Sequence, residues 1–107
     1  GSTGSIGVNT LLIAQRYSIP IEALVAGSNI DLLNKQIALH KPKYVAIAHE
    51  KDRERVNHSK VFCGDGGILE LLEHSKSPTI VNSLVGYAGL APTLKSIELG
   101  RKVALAN

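Results

Sequence analysis

Glycines at positions 1, 4 and 7 run without a break into a helical pattern over residues 8–17, with Leu11 and Leu12 on its apolar side. This spacing limits the fold more than any other stretch, because a main chain without side chains at every third residue can wrap tightly just before a helix begins. In such a turn Gly1 allows a sharp bend, Gly4 leaves no Cβ between the backbone and a bound anion, and Gly7 lets the helix lie close to a sheet. The free N–H groups of the first helical turn then face the anion with the positive end of the helix dipole behind them. Thr3 and Ser5 add hydroxyl donors beside those amides. Gly1-Ser2-Thr3-Gly4-Ser5-Ile6-Gly7 therefore fits a cradle for a diphosphate, spaced G-x-x-G-x-x-G instead of the commoner G-x-G-x-x-G. The competing reading is a flexible Gly/Ser terminus left by tag removal. Regular glycines that continue into an amphipathic helix speak against it.

Beyond the cradle, strand and helix patterns alternate. Residues 19–26 form an apolar, β-rich run ending at Gly27-Ser28-Asn29. Asn29 suits the N-cap of a helix carrying Ile30, Leu33 and Ile37, which Lys41-Pro42 stops. A strand is expected over residues 43–48, with Val45 and Ile47 on one face and Tyr44 and Ala46 on the other. Residues 49–59 are polar and fit a short exposed helix. A short strand over residues 60–63 leads to a tight turn at Gly64-Asp65-Gly66-Gly67. Ile68, Leu69, Leu71 and Leu72 mark the next helix, which Ser77-Pro78 breaks. A strand over residues 79–85, a helix marked by Leu90, Leu94 and Ile97 that stops at Gly100, and a strand over residues 102–106 complete the pattern.

Such alternation predicts an α/β fold, a Rossmann-like doubly wound parallel sheet, because each right-handed crossover places a helix over one face. A cradle of this kind ordinarily follows a strand, and none precedes Gly1. The expectation is a single domain over residues 1–107, truncated at both ends, with the first strand missing from the chain.

The end of the second strand position selects the nucleotide. NAD-binding chains of this class place an acid about 20 residues beyond the cradle, on the ribose 2′-hydroxyl. Ala26-Gly27-Ser28-Asn29 has no carboxylate there to repel a 2′-phosphate, while Ser28, Asn29 and nearby amides can donate to one. Glu22 lies too early, and Asp31 suits the first turn of the following helix. NADP is favoured. A plain loop and helix cap is the alternative for Ser28 and Asn29.

Taken together, Gly-Ser-Thr-Gly-Ser-Ile-Gly at 1–7, Ala-Gly-Ser-Asn at 26–29, Val85-Gly86-Tyr87-Ala88-Gly89-Leu90 with Pro92-Thr93-Leu94, and Ala104-Leu105-Ala106-Asn107 resemble the 1-deoxy-D-xylulose 5-phosphate reductoisomerase family. Four blocks in order along the whole chain are far more specific than one glycine motif. They disfavour another NADP-dependent reductase that shares only the Rossmann half. The resemblance covers the N-terminal NADPH-binding domain of that family, less its opening strand. It implies an enzyme of non-mevalonate isoprenoid biosynthesis that rearranges deoxyxylulose phosphate and reduces the resulting aldehyde with NADPH, giving 2-C-methyl-D-erythritol 4-phosphate, with Mg²⁺ or Mn²⁺ as metal.

Carried over by position, the resemblance implies that Thr3, Gly4, Ser5 and Ile6 hold the pyrophosphate and adjoining ribose. Gly27, Ser28 and Asn29 would bind the 2′-phosphate and adenosine ribose. Ser83, Leu84 and Val85 would lie beside the cofactor, although simple core packing is the alternative for Leu84 and Val85, and Asn107 would reach its nicotinamide half. Many members carry lysine where Ser28 stands, so a point-charge contact to phosphate is lost here. No catalytic residue or metal ligand is expected within these residues, and the fragment alone is expected to be inactive. The resemblance further implies a homodimer when full length, acting on a small sugar-phosphate substrate.

Composition adds exclusions. A net charge of +3 with scattered basic residues, and three Tyr, one Phe and no Trp, argue against nucleic acid as partner. The one dense run, Lys51-Asp52-Arg53-Glu54-Arg55, alternates in sign and fits a solvated helix face. No run is long and apolar enough to cross a bilayer, and the single Cys63 with no basic leader before an apolar run fits the cytoplasm. His40, His49, His58 and His74 share no metal-ligand spacing, so surface or capping roles are expected. Cys63 is expected to pack and Asp65 to form a turn. A reading of another class also stands: a stand-alone dinucleotide-binding or sensing module without catalysis.

Overall fold

The computed structural model describes residues 1–84 and 86–106. Helix α1 (Ser5–Arg16) is followed by β1 (Ala23–Val25), α2 (Ile30–His40), β2 (Tyr44–Ile47), a 3₁₀ turn (Glu50–Arg55), β3 (Val61–Cys63), α3 (Gly64–His74), β4 (Thr79–Asn82), a second 3₁₀ turn (Gly86–Gly89), α4 (Leu90–Glu98) and β5 (Lys102–Leu105). The expected alternation is present.

Local chemistry sets the boundaries. Asn29 caps α2 by accepting from the Leu32 N–H at 3.3 Å, and Lys41 ends that helix in the left-handed region with φ +49°. The tight turn expected at residues 64–67 is instead the first turn of α3, entered through Gly64 at φ +76°. A single left-handed residue makes the corner, so the other glycines there continue as helix. The run over residues 19–26 gives a strand at residues 23–25 alone. Pro20 has no N–H to donate to a ladder, and the Ile19 N–H is taken by the Ala14 carbonyl of α1 at 2.8 Å.

All paired strands are parallel. Ala23, Leu24 and Val25 of β1 lie opposite Tyr44, Val45 and Ala46 of β2, which continues to β3 through Val45 opposite Val61. The β2 strand is buried on both faces, as a central parallel strand must be. On one face Val45 and Ile47 join Leu11 of α1 and Ile30, Leu33 and Ile37 of α2 in the main apolar cluster. On the other, Tyr44 and Ala46 pack with Leu71 of α3. Helices therefore cover both faces, as expected from the sequence.

The sheet is not continuous. Among the described residues, β1-β2-β3 form one sheet and β4-β5 another, with Ile80 opposite Val103. Between the facing edges of β1 and β4 lies a cleft of about 190 Å³, lined by Ala23, Val25, Thr79, Val81 and Leu71, with Gly1 and Ser83 at one end and Glu22, Ser75 and Ser77 at the other. The two sheets are joined at those ends. At the first, the Gly1 nitrogen donates to the Val25 carbonyl at 2.7 Å and Ser83 Oγ donates to the Gly1 carbonyl at 3.2 Å. At the second, Glu22 accepts from the Ser75 and Ser77 hydroxyls and from the Lys76 and Ser77 amides, and Arg101 donates to the carbonyls of Ser75 and Ser77.

Candidate dinucleotide site

The glycine segment folds back on itself before α1. The Gly4 N–H donates to the Gly1 carbonyl at 3.3 Å, and the Val8 N–H makes the first α-helical bond, to Gly4 at 2.8 Å. The amides of Ser5, Ile6 and Gly7 precede that bond and have no intrahelical acceptor. Gly4 is the N-cap, and no side chain caps it among the described residues. The result is a helix start whose donors remain open to an anion.

The glycines differ in what they permit. A Cβ on Gly7 would stand 2.7 Å from the Ser2 backbone and closer still to the Gly1 carbonyl. Gly7 thus lets the loop close on its own helix; the close helix–sheet packing expected from the sequence is not what crowds it. A Cβ on Gly1 would fall on Ser83 Oγ. At Gly4 the nearest atom would be the Gly1 carbonyl at 3.7 Å, an ordinary contact, so this face of the loop is open. That is the geometry of a cradle which a side chain would fill.

The sequence candidates converge on the carboxyl ends of the strands, where open α/β sheets bind ligands. Thr3, Gly4, Ser5 and Ile6 form the loop and the start of α1, with Gly4, Ser5 and Ile6 exposed. Gly27, Ser28 and Asn29 follow β1 and are all exposed. They lie two to four residues beyond Val25, whose carbonyl accepts the Gly1 and Ser2 nitrogens, so the two loops share one edge. Asn29 Oδ1 is engaged as the helix cap, which leaves its Nδ2 as the donor for a ligand. Ser83 follows β4 and touches the cradle through Gly1. Leu84 is half-buried, with its N–H donating to Asn82 Oδ1 at 3.1 Å. Val85 and Asn107 lie outside the described residues.

Two further groups support this edge. Asn82 is buried and donates to the Gly89 carbonyl at 2.9 Å and to Thr93 Oγ1 at 2.8 Å, which pins the segment after β4. Gln36 of α2 donates to the Ser2 carbonyl at 2.8 Å. The sequence carried a signal for Gln36, since a polar residue recurs three positions after Leu33 on an apolar face.

No group of three or more His, Cys, Asp or Glu suited to a metal is present among the described residues. His58 bonds the Pro42 carbonyl and the Lys60 amide, and His74 packs against Tyr44 and Phe62. Cys63 stands beside Glu50 and Arg53, and burial, followed by a hydrogen bond with Glu50, pushes its thiol up, away from nucleophile chemistry. The basic-acidic run forms the exposed 3₁₀ turn, except that Asp52 is buried and paired with Arg55 at 3.2 Å.

A glycine turn that opens a helix beside the strand ends of a parallel sheet covered on both faces defines a Rossmann-like α/β domain. The comparisons narrow this to a family. The family model for 1-deoxy-D-xylulose 5-phosphate reductoisomerase matches residues 1–107. The chain is 57% identical over 107 residues to the reductoisomerase of Nautilia profundicola and 53% identical to that of Campylobacter lari. All of the chain matches, and it spans 29% and 30% of those relatives' lengths. Its fold superposes on the Zymomonas mobilis reductoisomerase in complex with NADPH with a TM-score of 0.89 at 28% identity, covering all of this chain and 30% of that one. A second reductoisomerase structure, with NADPH, fosmidomycin and magnesium, matches at 0.87 and 29% identity over 28% of its length. The chain belongs to the 1-deoxy-D-xylulose 5-phosphate reductoisomerase family.

Proposed function

We propose that residues 1–107 are the NADPH-binding domain of a 1-deoxy-D-xylulose 5-phosphate reductoisomerase. The observation that carries this reading is the open cradle: three amides at the start of α1 with no acceptor among the described residues, an N-cap glycine whose added Cβ would meet only an ordinary contact at 3.7 Å, and an uncharged donor loop on the same edge. The amides of Ser5, Ile6 and Gly7, with the Thr3 and Ser5 hydroxyls, bind the diphosphate. Ser28, Asn29 Nδ2 and the Gly27 amide bind the 2′-phosphate. Ser83 and Leu84 border the cofactor at the tip of β4, and Asn107 extends toward its nicotinamide half.

The bound cofactor supplies a hydride. These residues orient it, and no carboxylate pair or nucleophile with its base is expected among them. The rearrangement and reduction of deoxyxylulose phosphate in non-mevalonate isoprenoid synthesis, the Mg²⁺ or Mn²⁺ site, dimer formation and the sugar-phosphate contacts then belong to the remainder of the full-length polypeptide, acting in the cytoplasm. The cleft between β1 and β4 fits this domain reading, because a parallel strand preceding Gly1 and seated there would pair with both edges and merge the two sheets. No helix of the described residues is long and apolar enough to cross a membrane.

The test is NADPH titration of the full-length polypeptide, followed by cofactor fluorescence and thermal protection. Tight binding of NADPH, weaker binding of NADH and loss of binding in Gly4→Val are expected. A Gly4→Val protein that binds NADPH as the parent does would show the cradle assignment to be wrong.

A further inference from the structure

Gln36 stands on the buried side of α2 among Ile30, Leu33 and Ile37, and is itself 7% exposed. A buried amide costs free energy unless both of its ends are bonded. Its Nε2 donates to the Ser2 carbonyl, while its Oε1 is buried with no partner among the described residues. A leucine would fill similar space without an orphaned oxygen. Stability of the helix packing therefore does not account for glutamine here.

What the bond does is hold the cradle. Ser2 is fixed from two sides, by its N–H on the Val25 carbonyl at 2.9 Å and by its carbonyl on Gln36. The next residues turn back onto Gly1 and present the free amides of α1. Helix α2 also begins at Asn29, directly after Ser28, so Gln36 lies seven positions along the same rigid element, about 10 Å along its axis. One helix thereby carries the donor loop at its start and grips the cradle two turns later.

We infer that Gln36 is a positioning residue that sets the spacing between the diphosphate cradle and the loop at residues 27–29, so that α2 acts as a ruler for a ligand carrying both a diphosphate and a second phosphate. The inference rests on the NADPH reading of the site. It requires that loss of the Gln36 bond harm binding of a ligand that spans both loops, and spare one that occupies residues 27–29 alone.

The experiment uses the full-length polypeptide with Gln36→Leu and Gln36→Glu, probed with NADPH and with adenosine 2′-monophosphate, which carries the 2′-monoester and no phosphate at the 5′ position. Gln36→Leu is expected to weaken NADPH about five- to tenfold, the worth of one buried hydrogen bond. Its affinity for the 2′-monophosphate and its melting temperature should stay close to those of the parent. Gln36→Glu should bind NADPH weakly at pH 8 and recover toward pH 5, as its carboxyl gains a proton to donate to Ser2, relative to the parent at each pH. Unchanged NADPH binding in Gln36→Leu overturns the inference, and so does an equal loss for both ligands. If the parent itself fails to bind NADPH, it is the function proposed above that falls.

Discussion

Replacing Gly7 with alanine sets two opposed effects on one residue. Alanine is the better helix former by about 1 kcal/mol, so the change would stabilise α1 if space allowed. Space does not allow it, because the new methyl would stand 2.7 Å from the Ser2 backbone carbons and closer to the Gly1 carbonyl. Those are main-chain atoms, which cannot rotate aside as a flexible side chain would. Overpacking costs about 1–3 kcal/mol, and a backbone obstacle puts this site at or above the top of that range. The net expectation is a loss of about 2 kcal/mol, or roughly 8–16 °C in the melting temperature of a domain this size. Gly4→Ala is the control. Its methyl meets nothing nearer than 3.7 Å and its φ of −79° suits any residue, so stability should fall by less than about 1 kcal/mol. Circular dichroism melts of both variants, with urea titrations to check the slope, measure the difference. A Gly7→Ala protein that melts with the parent or above it would refute the account of the loop closing on its helix.

Two further outcomes are expected. Partial desolvation pushes the Glu22 carboxyl up, but hydrogen bonds from Ser75, Ser77 and the Lys76 and Ser77 amides together outweigh it and leave it below the ordinary carboxylate value. Its stabilisation is thus full above about pH 4.5 and is lost as pH falls through the depressed value, so the stability gap between the parent and Glu22→Gln should close on acidification, and a constant gap would count against the Glu22 clasp. Ser28→Lys should strengthen NADPH binding about fivefold at low salt and leave NADH unchanged, because a new ammonium would face the 2′-phosphate; equal gains for both would place residue 28 elsewhere.

Much of this architecture could be read from the residues. The two faces of β2, Val45 and Ile47 against Tyr44 and Ala46, divide between two apolar clusters as period-two alternation requires. Asn29 caps α2 because a short acceptor before an apolar helical run does so generally. The candidate residues at 3–6, 27–29 and 83 meet at one edge because parallel strands bring their carboxyl ends together. What escaped was decided by tertiary contacts. The run over residues 19–26 is apolar enough for a full strand, but the Ile19 N–H donates to the Ala14 carbonyl of α1, and the donors that hold the Glu22 carboxylate lie more than fifty positions later in the chain. Gly7 looked like a helix–sheet spacer, whereas its crowding comes from the carbonyl of Gly1. The division into two sheets depends on edges whose separation no local pattern encodes.

That division has a consequence for biosynthesis. The edge of β1 exists once residue 25 has been made, whereas the edge of β4 is complete only after residue 82. Any strand seated in the cleft must therefore wait half-satisfied on the nascent polypeptide, with one row of amides exposed to water or to a chaperone until β4 arrives. Slowing translation between those positions should lengthen that vulnerable interval.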